Sequence, residues 1–206
     1  VTVTNAAPVL TVVPNQSRFE GQLLSLTNIG TFTDRGYDNA LNPAPGETTE
    51  RFQYTVNWGD GRSDPLADAT IDTPGSAGTP TGGSFDASHT YADEGVYTVT
   101  VTVFDDDGGT DTKTFTVTVS NVPPTLTTVG VQTSAEGEVL SIPTIGTFTD
   151  PGFDNPLNPL PGDRTERFSY VIDWGDGNVD PSKPASITTA GSPGVSTAGT
   201  FGGSHI

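Results

Sequence analysis

Val96-Tyr97-Thr98-Val99-Thr100-Val101-Thr102-Val103 is the stretch that decides the fold. β-Branched residues fill most of it and alternate with period two. That pattern suits a pleated strand and disfavours a helix. Thr112 to Val119 repeats the pattern, and Asp105-Asp106-Asp107-Gly108-Gly109 between them supplies hairpin-turn chemistry. Working outward, further strands are expected at Val9–Val13, Leu23–Leu26, Arg51–Trp58, Ala69–Thr73 and Ser84–Ser88. They are separated by a long polar loop from Thr31 to Thr49, a tight Gly59-Asp60-Gly61 turn, a Gly/Pro loop over Pro74–Gly83 and a corner at His89–Gly95. No stretch has helical periodicity, and 25 Gly with 17 Pro break the remainder into short pieces. About seven short strands at this spacing predict an antiparallel sandwich.

The chain also repeats itself at an offset of 116 residues without a gap: Trp58-Gly59-Asp60-Gly61 returns as Trp174-Gly175-Asp176-Gly177. Pairing 8–90 with 124–206 gives 45 identities in 83 positions, so the repeating unit is a whole domain rather than a solenoid turn. The fold class expected is all-β, as tandem immunoglobulin-like antiparallel sandwiches. Val1-Thr2-Val3-Thr4-Asn5 matches Val117-Thr118-Val119-Ser120-Asn121. Residues 1–4 therefore read as the last strand of a preceding repeat, 5–121 as a complete repeat, and 122–206 as a second repeat cut before its last two strands. The second copy should have an open core, and the natural chain is expected to continue in both directions. The joint, Ser120-Asn121-Val122-Pro123-Pro124, should be semi-rigid.

Composition narrows the function. A net charge of −17 repels phosphate backbones and anionic lipid, so nucleic-acid binding is not expected, and the same charge attracts cations. With no Cys there is no disulfide or thiol chemistry, and no apolar run approaches the ~20 residues of a membrane span. Two His and no Met leave little for soft metals or acid–base catalysis, and enzymatic activity is not expected.

Trp58-Gly59-Asp60-Gly61 at a strand end is followed by Ser88-His89-Thr90-Tyr91, by Gly95-x-Tyr97-x-Val99, and by Val103-x-Asp105-x-x-Gly108-Gly109. In these residues the chain resembles the PKD (polycystic kidney disease) domain family. The resemblance covers the first copy throughout. The second copy carries the Gly-Asp-Gly and Ser-His parts. It implies an immunoglobulin-like sandwich of the kind found mostly in extracellular and surface proteins, and it transfers fold more strongly than function. The loop before Arg51 and the Asp68–Gly83 insert are longer than the family's pattern. Trp58 and Trp174 are expected in the core rather than stacked on sugar, Tyr91 to form a tyrosine corner, and His89 and His205 to bond locally.

One loop asks for a separate reason. Thr31-Phe32-Thr33-Asp34-x-Gly36-x-Asp38-Asn39-x-Leu41-Asn42-Pro43 returns nearly unchanged as Thr147 to Pro159, although loops normally drift faster than strands. Clustered carboxylate and amide oxygens are ligands that Ca²⁺ prefers. At one end of a sandwich, Asn5, Asp34, Asp38 and Asp105 would gather in the first copy, and Asn121, Asp150 and Asp154 in the second. Some PKD-type domains bind calcium with such a set. Asx turns bracing the loop account for the same residues without an ion. Asp105 is expected to point into such a site and Asp106 to be solvated.

The expected function is a structural stretch of a long adhesin-like or surface-fibre protein, outside the cell, stiffened by Ca²⁺. Its partners would be neighbouring repeats of the same chain, with other copies or surface glycans as further possibilities. Two alternatives stand beside it. One is a carbohydrate-binding accessory module of a secreted enzyme, in which Tyr37 and its counterpart Phe153 would touch ligand. The other is a filament subunit that exchanges strands with a neighbouring copy.

Overall fold

The computed structural model of the protein describes residues 2–42, 48–159 and 164–206. Among them every regular element is a strand: β1 (Val9–Val12), β2 (Gln16–Phe19), β3 (Leu23–Asp34), β4 (Phe52–Asn57), β5 (Ala67–Asp68), β6 (Thr70–Thr73), β7 (Thr81–Thr90), β8 (Gly95–Asp105), β9 (Thr110–Ser120), β10 (Thr125–Thr128), β11 (Leu140–Asp150), β12 (Ser169–Tyr170), β13 (Lys183–Pro184), β14 (Ser186–Thr189) and β15 (Thr197–His205). The chain forms two compact units. Unit 1 holds Val1–Arg18, Leu24–His89 and Gly95–Val119; unit 2 holds Ser120–Ile206 together with Phe19–Leu23 and Thr90–Glu94.

Unit 1 is built on two antiparallel sheets, ordered β1-β3-β7-β6 and β2-β9-β8-β4-β5. The Thr/Val stretch Val96–Val103 lies within β8. Its odd-numbered residues Tyr97, Val99, Val101 and Val103 are buried while the even-numbered ones face outward, as period two requires. The opposite sheet contributes Leu10, Ile29, Phe32 and Phe85. Phe32 of β3 meets Phe52 of β4 at 4.6 Å between ring centroids, so the two sheets share one core. Trp58 is fully buried. Its ring stacks on His89 at 4.9 Å, and His89 Nε2 bonds Asp60 Oδ2 at 2.9 Å in the Gly59-Asp60-Gly61 turn. Both turn glycines have positive φ, 83° and 90°, which explains why the turn needs them. Asp60 is thus a turn residue, in line with its sequence reading.

Unit 2 carries a sheet ordered β10-β11-β15-β14 and a β12-β13 ribbon. Its register copies that of unit 1 to the residue: Val9 pairs with Thr33, and Thr125 with Thr149. Trp174 stacks on His205 at 4.9 Å, and His205 bonds Asp176 at 2.9 Å. The core is more open. Leu10 is 2% exposed and its counterpart Leu126 is 56% exposed, because nothing equivalent to β8 and β9 covers it among the described residues.

Four segments differ from expectation. Thr31–Asp34, assigned to the loop, is the end of β3, a 12-residue strand in which Phe32 and Asp34 point inward and Thr31 and Thr33 outward. Polar outward residues hid the alternation. β7 begins at Thr81, inside the expected Gly/Pro loop, and β2 was not anticipated, since Gln16–Phe19 has no apolar alternation. Thr2–Thr4 form no strand, and Val1 and Pro43 lie outside the described residues.

Candidate functional site

β3 carries Asp34 inward on the same face as Phe32, and this register is why a carboxylate ends up 4% exposed. Its Oδ1 accepts the Gly36 amide at 2.6 Å. Its Oδ2 is buried and has no hydrogen-bond partner. A buried carboxylate oxygen without a donor forfeits its solvation, so the state is costly unless a proton or cation arrives. Burial is the main cause that raises the Asp34 pKa, the Gly36 bond opposes it, and the charges of Asp105, Asp107 and Asp106 add to the rise.

The hairpin tip brings the second contribution. Asp105, at the end of β8, is buried; its Oδ1 accepts the Gly109 amide, and its Oδ2 accepts Asn5 Nδ2 at 2.9 Å. Asp106 is exposed, as expected, and accepts the Arg51 amide at 3.2 Å. Of the four expected residues, Asn5 and Asp105 are bonded to each other, and the Asp105 charge acts on Asp34. Asp38 does not join them: it is exposed and accepts the Glu50 amide at 2.8 Å. It acts as a brace that sets where Glu50 stands.

Glu50 is the residue that sequence reading missed. Its carboxylate lies over Gly36, so close that a Cβ there would be 2.6 Å from both oxygens. Burial, then the charges of Asp106, Asp34, Asp107 and Asp105, push its pKa to about 7. The available signal was the repeat itself, since Thr49-Glu50-Arg51-Phe52 returns as Thr165-Glu166-Arg167-Phe168.

Unit 2 repeats the loop bond for bond. Asp150 Oδ1 accepts the Gly152 amide at 2.8 Å, Asp154 Oδ1 accepts the Glu166 amide at 2.8 Å, and Thr197 Oγ1 donates to Gly152 O at 2.6 Å as Thr81 does to Gly36 O. Glu166 also reaches about 7, through burial and the charges of Asp93, Asp150, Glu20 and Asp154. Asn121 and Asp154, both expected as ligands, are exposed. Glu20, Asp93 and Glu94 instead bring their oxygens within 4.8 Å of one another, and the Asp150 charge acts on Glu20. Glu20 is almost fully buried and accepts the Val122 amide at 2.7 Å. These three had no sequence signal, because they come from two corners far apart in the chain.

The two loop aromatics diverge. Tyr37 is 41% exposed, whereas Phe153 is 3% exposed in unit 2 with its amide donating to Ala92 O at 3.1 Å. The pair does not form a matched ligand-facing set.

Comparison with known proteins agrees with the strand pattern. Residues 24–119 match the family model of the PKD domain. Among solved structures, the chain is similar to the PKD domain of an M14-like peptidase from Thermoplasmatales archaeon SCGC AB-540-F20. The TM-score is 0.38 and the identity 22%, over 56% of this chain and 98% of that one. No curated protein matches the chain.

Proposed function

We propose that this chain is a non-catalytic, extracellular spacer: a stretch of an adhesin-like or surface-fibre protein that projects or connects, with Ca²⁺ stiffening its domains or their joints. The PKD-domain match over 24–119 supports the structural half of the reading. The calcium half rests on one observation, the buried Asp34 Oδ2 without a donor amid the charges of Asp105, Asp106 and Asp107. Asx turns explain Asn39 and the Oδ1 of Asp34, each of which accepts the amide two residues on, and Asp38 and Asp154 brace the loop by accepting the Glu50 and Glu166 amides. None of these bonds explains Asp34 Oδ2. A hard cation with oxygen ligands fits such a carboxylate, and the Asp105 charge acting on Asp34 adds to the pull on it. In unit 2 the corresponding acids are Asp150, Glu166, Glu20, Asp93 and Glu94. Titration with EDTA and then Ca²⁺ tests the reading. Melting temperature and hydrodynamic length should fall on chelation and recover with Ca²⁺; if neither moves, the calcium half is wrong.

A glycan-binding accessory role is the second reading, favoured by the exposed Tyr37 ring. Glycan-array binding that Tyr37→Ala abolishes would support it over the spacer.

A further inference from the structure

We propose that Glu50 is itself a cation ligand, so that Asp34 and Glu50 hold the ion together beside Gly36. This rests on the calcium reading above and adds to it a residue from a different segment of the chain. The geometry has three parts. Asp34 Oδ2 is buried without a donor and is free to take a metal. Asp34 Oδ1 is tied to the Gly36 amide at 2.6 Å, which fixes the carboxylate beside that glycine. The Glu50 carboxylate occupies the space where a Gly36 side chain would be, 2.6 Å from the Cβ position, and its backbone is held there by Asp38.

The second repeat shows how close such a pair stands. One Cβ position on Gly152 would lie 2.7 Å from Glu166 Oε1 and 2.9 Å from Asp150 Oδ1. A Ca²⁺ ion bonding at ~2.4 Å bridges oxygens of different side chains up to ~5 Å apart, and carboxylates meeting over one glycine come close to that span. The glycine is required in both copies because any side chain would fill the place where the carboxylates converge. In the segment before Arg51, Asp38 accepts the Glu50 amide and the Asn39 amide donates to Thr48 O at 3.1 Å, and these bonds set where Glu50 stands.

The test follows the Gly36 amide in ¹H–¹⁵N spectra of the whole chain during Ca²⁺ titration, which isolates this site from any ion in unit 2. The wild type should show a saturable shift. Glu50→Gln should need about tenfold more Ca²⁺ or better for the same shift, as loss of a charged ligand does. Asp106→Asn, which removes the same charge from the exposed neighbourhood without removing a ligand, should need less than about threefold more. Unchanged dispersion elsewhere in the spectrum verifies folding. A Glu50→Gln titration that overlays the wild type, or matches Asp106→Asn, overturns the inference and leaves the calcium reading standing. A wild-type Gly36 amide indifferent to millimolar Ca²⁺ overturns both.

Discussion

Neutralising Glu50 should stabilise the calcium-free protein, and only at high pH. Burial and the surrounding aspartates raise the Glu50 pKa from 4.5 to about 7. A carboxyl that holds its proton more firmly when folded contributes stability that is complete below pH ~4.5 and lost as pH rises through ~7. The gap between 4.5 and about 7, at ~1.4 kcal/mol per pH unit, sets an upper limit of ~3.4 kcal/mol. Glu50 is only partly buried, so solvent screening reduces this to about 1 kcal/mol. Glu50→Gln fixes the neutral form. In EDTA it should melt with the wild type at pH 5 and about 5 °C above it at pH 8, given ~4–8 °C per kcal/mol for a domain of this size. Calorimetry reads the effect in the transition that belongs to unit 1. With Ca²⁺ present the order should reverse, because a site at 100-fold its Kd adds ~2.7 kcal/mol to the wild type that the variant lacks in part. A variant that is destabilised at pH 8 in EDTA, or equally stabilised at both pH values, would refute the picture of Glu50 in an acidic field.

Paired core truncations should separate the two units. Leu10→Ala removes a fully packed side chain and should cost ~2–5 kcal/mol, while Leu126→Ala, at a position more than half exposed, should cost under ~1 kcal/mol by denaturant unfolding. His89→Ala should cost ~1.5–3 kcal/mol, since it removes a bond to the Asp60 carboxylate and a ring stacked on Trp58; a shift in tryptophan emission would report the lost stack. Gly36→Ala should leave calcium-free stability within about 1 kcal/mol, because Glu50 can swing into solvent, yet weaken Ca²⁺ binding as much as Glu50→Gln does. A Gly36→Ala chain with wild-type affinity would show that Glu50 need not sit over Gly36.

Sequence periodicity revealed β8 and β9 because their alternation is apolar and uninterrupted, and it located β1 and β4 to within a residue or two. It failed where burial and polarity part company. Thr31 and Thr33 face solvent at the end of β3, so the segment read as a loop although Phe32 and Asp34 face inward. The same misreading concealed the reason Asp34 is special. As a loop residue it would be one more solvated Asx; as the inward residue of a strand it is a carboxylate carried into the end of the sandwich. Glu50 was illegible for a different cause. Its position over Gly36 depends on how the intervening loop closes, and periodicity holds no information on closure.

The near-identity of the loop in both copies began as a choice between an ion and a set of Asx turns, and the bonding divides the residues between the two. Asp38, Asn39, Asp154 and Asn155 spend their Oδ1 atoms on loop amides in the same way in each copy. That bracing is sufficient to constrain those four positions. Asp34 and Asp150 spend one oxygen likewise, on the Gly36 and Gly152 amides, and what is left over is Asp34 Oδ2 with the carboxylates of Glu50 and Glu166. These carboxylates lie beside a glycine in each copy, and burial pushes all four toward neutrality, with neighbouring charges adding to the rise at Asp34, Glu50 and Glu166. Like charges gathered at low solvation oppose folding in proportion to their proximity. A loop whose only task was to turn the chain would gain stability from any change that dispersed them. Retention of the pair at both ends of a 116-residue offset is the part of the match that bracing does not supply and that the proposed cation would account for.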